Sequence, residues 1–247
     1  MLVLATLGAP ERRRLSARRR GASPPEAPPT PVSTARATVI DVGEPLAPGE
    51  PAQAWLRRAG EAELTEAVAI LNRALRAHRL AAGDAYARPV SRAQAIAARV
   101  GVGAGEQVAD GHWSAARELI ASPPRRRRVR ALAPEARLAA ILGGRARPLV
   151  CEELALRARL DLDQGHDREA ALQLLIALDA AVAELAGDPR APALAGRLQE
   201  LRDRRARVAT VAHAAMARRL SAPELETVAS ALARIEAALR ARAAAGA

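Results

Sequence analysis

Apolar residues recur every third or fourth position along most of this chain, and the places where that rhythm fails mark its boundaries. The stretch 62–80 sets Leu64, Val68, Leu71, Leu75 and His78 on one helical face, with Gly83 as its stop. Before it, PAQAWLRRAG places Pro51 at a helix start and Gly60 at its end. Ser91 and Gln94 form a capping-box pattern that opens a helix over SRAQAIAARV, and HWSAARELIA (112–121) reads as another short helix. ATVIDV (37–42) is the one convincing strand candidate.

The rhythm resumes at Pro134 with APEARLAAIL, which ends at Gly143-Gly144. Pro148 starts a helix that runs to about Gln164, and Gly165 breaks it. Asp167 caps the next helix, which reaches Leu185 before Gly187. Asp188-Pro189 begins a long segment through Leu220, and Ser221 with Glu224 makes a second capping box. The last helix carries Leu225, Val228, Leu232, Ile235 and Leu239 at alternating spacings of three and four, a seam for a partner helix. Its predecessor offers Leu194, Leu198, Leu201, Val208 and Ala212, so an antiparallel hairpin is the simplest arrangement; the same seam could pair two chains.

These elements predict an all-α protein in four parts: a disordered basic, Pro-rich leader (1–36), a mainly helical module (37–121) with a Gly-rich loop at 101–111, an Arg-rich linker (122–133) and an antiparallel helical array (134–243). Met216 is the only methionine besides Met1, so a start at another codon inside the leader is an open alternative.

Composition sharpens this picture. The chain has 247 residues, enough for one or two domains, and contains no Phe, two Trp and one Tyr. A core built from Leu, Ala, Val and Ile suits helix-on-helix packing better than a sheet. Lysine is also absent, so all 38 basic residues are arginine. A GC-rich genome produces that bias without selection, which weakens the net charge of +11 as a sign of nucleic-acid binding. The excess lies in two clusters, six arginines in 12–20 and five in 125–130, whereas residues 151–200 hold five arginines against ten acids.

Candidate chemistry is sparse. A single cysteine, Cys151, excludes an intrachain disulfide and a Cys-rich zinc site. It sits near a helix start, where the dipole could lower its pKa, but no His lies beside it in sequence, so a structural thiol is expected. His78, His112, His166 and His213 stand singly, without metal-ligand spacing. GVGAGEQ departs from a dinucleotide loop because Glu106 stands where the third glycine belongs, and a Walker loop needs a lysine. With neither motif present, no cofactor is expected. The polar, irregular group Glu106, Asp110, His112 and Trp113 is the first place to seek a small-molecule site.

In ASPPRRRRVRALAPE, Arg125, Arg126, Arg127, Arg128 and Arg130 are candidate nucleic-acid contacts. The nearest aromatic, Trp113, lies across Pro123 and Pro124, which favours a solvated linker. No apolar run suits a signal peptide or a membrane span, and a cytoplasmic location is the default.

CEELALRARLDLDQGHDREAALQLLIAL (151–178) resembles a single tetratricopeptide repeat. Gln164-Gly165, Glu169-Ala170, Leu174 and Ala177-Leu178 stand where that repeat has its turn, small alanine, large apolar residue and closing Ala-Leu. Arg157 and Asp161 depart from its apolar and aromatic positions, and no second copy follows at its ~34-residue period. The resemblance implies a helical scaffold that binds a peptide or protein. The expectation is therefore a non-enzymatic interaction or scaffold protein, with the acidic hairpin around 151–186 as its surface and self-association through the last helix. The alternative is an accessory nucleic-acid- or ribosome-binding protein that uses the clusters at 12–20 and 125–130.

Overall fold

The computed structural model describes residues 1–7, 33–119, 134–189 and 191–244, and the chain divides into two compact units, Met1–Ala121 and Ser122–Ala247. The described residues are mostly helical. The expected Arg-rich linker and residues 8–32 of the expected leader lie outside them.

The first unit contains β1 (Leu2–Leu7), β2 (Thr34–Val39), α1 (Glu50–Arg58), α2 (Glu61–Ala82), β3 (Arg99–Val102) and β4 (Ala115–Glu118). β1 pairs antiparallel with β2, from Leu2 opposite Val39 to Leu7 opposite Thr34, so both ends of the expected leader are strands. The reason is visible in LVLATL and TARATV, where β-branched residues recur on a pleat that a facing strand can satisfy. Thr38 turns to the buried side of this ladder, and β2 packs against α2.

Two expected helices are not formed. Ser91 and Gln94 do make a capping contact, the Ser91 N–H donating to Gln94 Oε1 at 2.6 Å. Only one 3-10 turn follows, Arg92–Gln94, and Ala95 is already extended at ψ 126°. Ile96, which would anchor a helical face, is 87% exposed. The chain instead enters β3, whose Val100 is buried and whose partner is β4, inside the expected helix 112–121. The ladder runs from Arg99 opposite Glu118 to Val102 opposite Ala115 and is extended by Ser114 N–H to Val102 O at 2.9 Å. Gly101 permits this pairing. A Cβ there would stand 2.4 Å from Cε3 of Trp113, so the indole lies directly on the glycine.

The buried apolar cluster of this unit is small: Leu56, Ala59 and Val100, with Trp55, Ala115 and Leu119 against it. Side chains bonded to backbone do much of the remaining work. Buried Asn72 of α2 donates from Nδ2 to Val90 O at 2.9 Å and accepts the Val90 N–H at 2.8 Å, fixing the segment after α2. Arg117 of β4 donates to the Leu56 and Ala59 carbonyls, closing the C-terminal end of α1.

The second unit begins with α3 (Pro134–Leu142), followed by α4 (Val150–Asp163), α5 (Asp167–Ala186), α6 (Ala191–Ala217) and α7 (Ala222–Ala244). Consecutive helices from α4 to α7 pack together through short turns, and α7 returns against α4 and α5, closing a four-helix bundle. The core joins Cys151, Ala155 and Ala158 of α4, Leu174, Ala177, Leu178 and Ala181 of α5, Leu194, Leu201 and Val208 of α6, and Val228, Leu232 and Ile235 of α7. Alanines alternate with leucines across it, which lets helix axes approach closely while leucines fill the gaps. The Val228–Leu232–Ile235 seam is thus buried within its own chain. At its start, Ser221 N–H and Oγ both donate to Glu224 Oε2 at 2.8 Å, so the two residues that the sequence pairs do meet, with both bonds running from the serine to the carboxylate. The turn between α4 and α5 needs Gly165, whose φ is +70°.

Candidate functional site

The Gly-rich loop belongs to the hairpin that joins β3 to β4. A 3-10 turn, Glu106–Val108, buries Val108, and the Asp110 and His112 N–H groups both donate to Gln107 O, at 3.1 and 3.0 Å. Glu106, Asp110 and His112 are exposed, and Trp113 is half-buried on Gly101. No hydrogen bond or ion pair joins these four side chains to one another among the described residues. The group that does reach the loop is Arg36 of β2, which sequence reasoning missed. Its guanidinium donates to Ala109 O at 3.4 Å and lies against Gly111, while its Nε is buried without a partner. No local pattern marks Arg36, because the two segments are far apart in sequence.

The α4–α5 hairpin is built differently, with polar ties at both ends. At one end, the Glu184 carboxylate of α5 accepts the Val150 and Cys151 N–H groups at 2.9 Å each, capping α4 from a neighbouring helix. Burial opposes the charge on Glu184, but these two N–H donors and the nearby Arg242 prevail and hold its pKa below the ordinary value. Cys151 is wholly buried beside it. Burial, then the hydrogen bond to Glu184, pushes the thiol up to about 12, so it stays protonated at neutral pH, opposite to the effect of a bare helix terminus. Arg137 of α3 donates to Glu152 at 2.6 Å, and Arg242 of α7 pairs with Asp188 at 2.6 Å. At the other end, Asp161 holds the turn. Its carbonyl accepts the His166 N–H at 2.7 Å, Oδ1 lies 3.2 Å from His166 Nδ1, and Oδ2 accepts from Gln173 Nε2 at 2.7 Å.

The outward faces of these two helices carry large apolar side chains open to solvent. Leu156 is 67%, Leu160 45% and Ile176 58% exposed, and Val150 is exposed as well. Antiparallel pairing brings Cys151 level with Glu184 and Asp161 level with Gln173, so Ile176 falls level with the stretch between Leu156 and Leu160. By contrast α7 exposes no large apolar residue among those described, and α6 only Met216 near its end. One signal in the sequence could have found this face: the run Leu174-Leu175-Ile176 cannot turn inward entirely on one helix, since successive residues point about 100° apart.

Arg125, Arg126, Arg127, Arg128 and Arg130 lie outside the described residues. Many other arginines are occupied: Arg159 with Glu236, Arg205 with Asp179, Arg218 with Glu224, and Arg168 on the Ala215 and Met216 carbonyls that end α6. Among the described residues, no group of His, Cys, Asp and Glu could hold a metal ion, and no helix is long and apolar enough to cross a membrane. No protein-family model, no curated protein and no solved structure matches the chain.

Proposed function

We propose that the protein is a non-enzymatic helical interaction protein that binds another polypeptide on the outward faces of α4 and α5. The observation that supports this reading is the concentration of Leu156, Leu160 and Ile176 on one side of a bundle whose opposite helices expose almost no large apolar side chain. The resemblance of 151–178 to a tetratricopeptide hairpin points the same way, toward a scaffold that presents a helical surface. The polar ties at Glu184 and Asp161 suit that role, because they stiffen both ends of the hairpin and lower the ordering cost of binding. A cytoplasmic setting goes with this reading.

The test is affinity capture with the full chain. Leu156→Ser with Ile176→Ser should abolish recovery of a bound polypeptide and leave the helical circular dichroism and Tm unchanged, since both side chains are exposed. Undiminished capture by the folded double variant would overturn the proposal.

A further inference from the structure

The four-helix bundle is divided by charge. Residues 150–186, α4 and α5 with their turn, carry eight acids and three arginines, a net charge of −5. Residues 191–244, α6 and α7 with their turn, carry ten arginines and five acids, a net charge of +5. Ion pairs Arg205–Asp179, Arg242–Glu152 and Arg159–Glu236 cross between the halves, using two acids of the first and one of the second, so each half keeps its sign. The apolar surface follows the same division, with Leu156, Leu160 and Ile176 on the acidic half.

We infer that the polypeptide seated on the α4–α5 face is a second copy of this chain, presenting the arginine-rich outer surface of its α6. This deepens the function proposed above and rests on it. On α4, exposed Glu153 and Asp163 bracket Leu156 and Leu160. On α6, exposed Arg197, Arg202 and Arg207 make no ion pair among the described residues; the exposed positions around them include the small residues Ala195, Gly196, Ala206 and Thr210, together with Gln199, which donates to exposed Asp203 at 2.8 Å. Small side chains let a facing helix approach, and arginine stems cover leucine and isoleucine while their guanidinium groups reach the carboxylates. Glu153 already pairs with Arg157 at 2.9 Å, but this exposed pair one turn apart is weak and can exchange. The two surfaces differ, so the contact is heterologous. Each joined pair keeps one free acidic and one free basic face, and assembly continues into a ring or an open string unless dilution stops it.

The experiment is sedimentation velocity on the nuclease-treated full chain. The wild type should exceed the monomer mass of 25.9 kDa at low salt, in a concentration-dependent way, and return to it at high salt. Arg202→Gln with Arg207→Gln should be monomeric alone, as should Glu153→Gln with Asp163→Asn. Mixed in equal amounts, the two variants should form a species of twice the monomer mass and nothing larger, because each has lost the face needed for extension. A wild type that stays monomeric at every concentration overturns the inference, and so does a mixture that fails to pair. Association present only before nuclease treatment also overturns it and assigns the basic face to nucleic acid. If the chain is monomeric while the serine variants still lose a captured foreign polypeptide, the second copy is excluded and the α4–α5 face stands. Loss of both results removes the face as well.

Discussion

The two units solve the same problem with different means. In the second, a cluster of some twenty buried apolar side chains runs unbroken through four helices, and backbone hydrogen bonds are satisfied within each helix. In the first, the buried cluster has three residues, and a buried asparagine, two arginines and an indole seated on a glycine hold irregular segments in place. Burial without direction tolerates exchange among apolar residues of similar volume. A side chain bonded to a particular backbone carbonyl does not. The second unit should therefore be robust to shape and sensitive to volume, and the first the reverse.

Volume gives the largest effect. Leu232→Ala removes a fully buried side chain from the centre of the bundle and should cost about 2–5 kcal/mol, with the cavity adding to the lost transfer energy. Chemical denaturation followed by circular dichroism measures this, because most helix lies in that unit. A loss below 1 kcal/mol would mean that the bundle core is not the close-packed set described here. Next comes direction. Asn72→Leu keeps the size of a buried side chain in α2 and deletes both bonds to Val90, at a cost of about 1–3 kcal/mol for the orphaned backbone groups. Amide exchange read by peptide mass spectrometry should accelerate across 84–91 and stay unchanged in α4 to α7. A uniform change would erase the contrast between the units.

The same contrast explains how much was legible in the sequence. The bundle helices could be read because Leu, Val and Ala fall at spacings of three and four, and Gly165, Gly187 and Ser221 punctuate them. The α4–α5 hairpin was legible as a unit, but its outward leucines were not separable from its inward ones, since α5 is apolar on nearly every side. The first unit misled for a physical reason. Ser91 and Gln94 made their capping contact, yet a cap initiates only one turn when no apolar face follows to propagate the helix. HWSAARELIA has good helix formers, but Gly101 accepts the Trp113 ring and the ladder with β3 overrides that propensity. Arg36 was invisible beside the Gly-rich loop, because only tertiary folding brings β2 to Gly111. β1 escaped notice for the same reason, being a strand only through its pairing with a segment more than twenty residues away.

A smaller effect is expected at the glycine itself. Gly101→Ala forces the Trp113 ring to move, since the new methyl would sit 2.4 Å from Cε3 and 2.9 Å from the Ala115 carbonyl. The indole is half-buried and can tilt toward solvent, but the Ala115 carbonyl belongs to the β4 backbone and must shift as well, so the cost should be about 1–2 kcal/mol. In a Trp55→Phe background the emission of Trp113 should shift to longer wavelength. An unshifted spectrum would show that the ring does not depend on the glycine.

The smallest effect compares two helix starts, one in each unit. At α2, Glu63 accepts the Gly60 N–H at 2.5 Å, which is the main cause holding its pKa below the ordinary value. At α7, Glu224 accepts two bonds from Arg218, at 2.7 and 2.9 Å, and two from Ser221, and its pKa falls from 4.5 to about 2. In both cases the folded pKa lies below the unfolded one. The stabilisation is therefore fully present above pH 4.5 and is lost as pH falls toward the folded value. Glu224→Gln should flatten the decline of Tm between about pH 5 and pH 2, and Glu63→Gln should flatten it less, because no arginine hydrogen-bonds to that carboxylate. Glu63 is exposed and Glu224 partly so, so the differences should shrink in high salt, where the Arg218 contribution is screened and the Ser221 contribution remains. Equal slopes for the two variants at low salt would show that the arginine adds nothing to the cap and that the backbone and hydroxyl donors alone set the carboxylate's affinity for its proton.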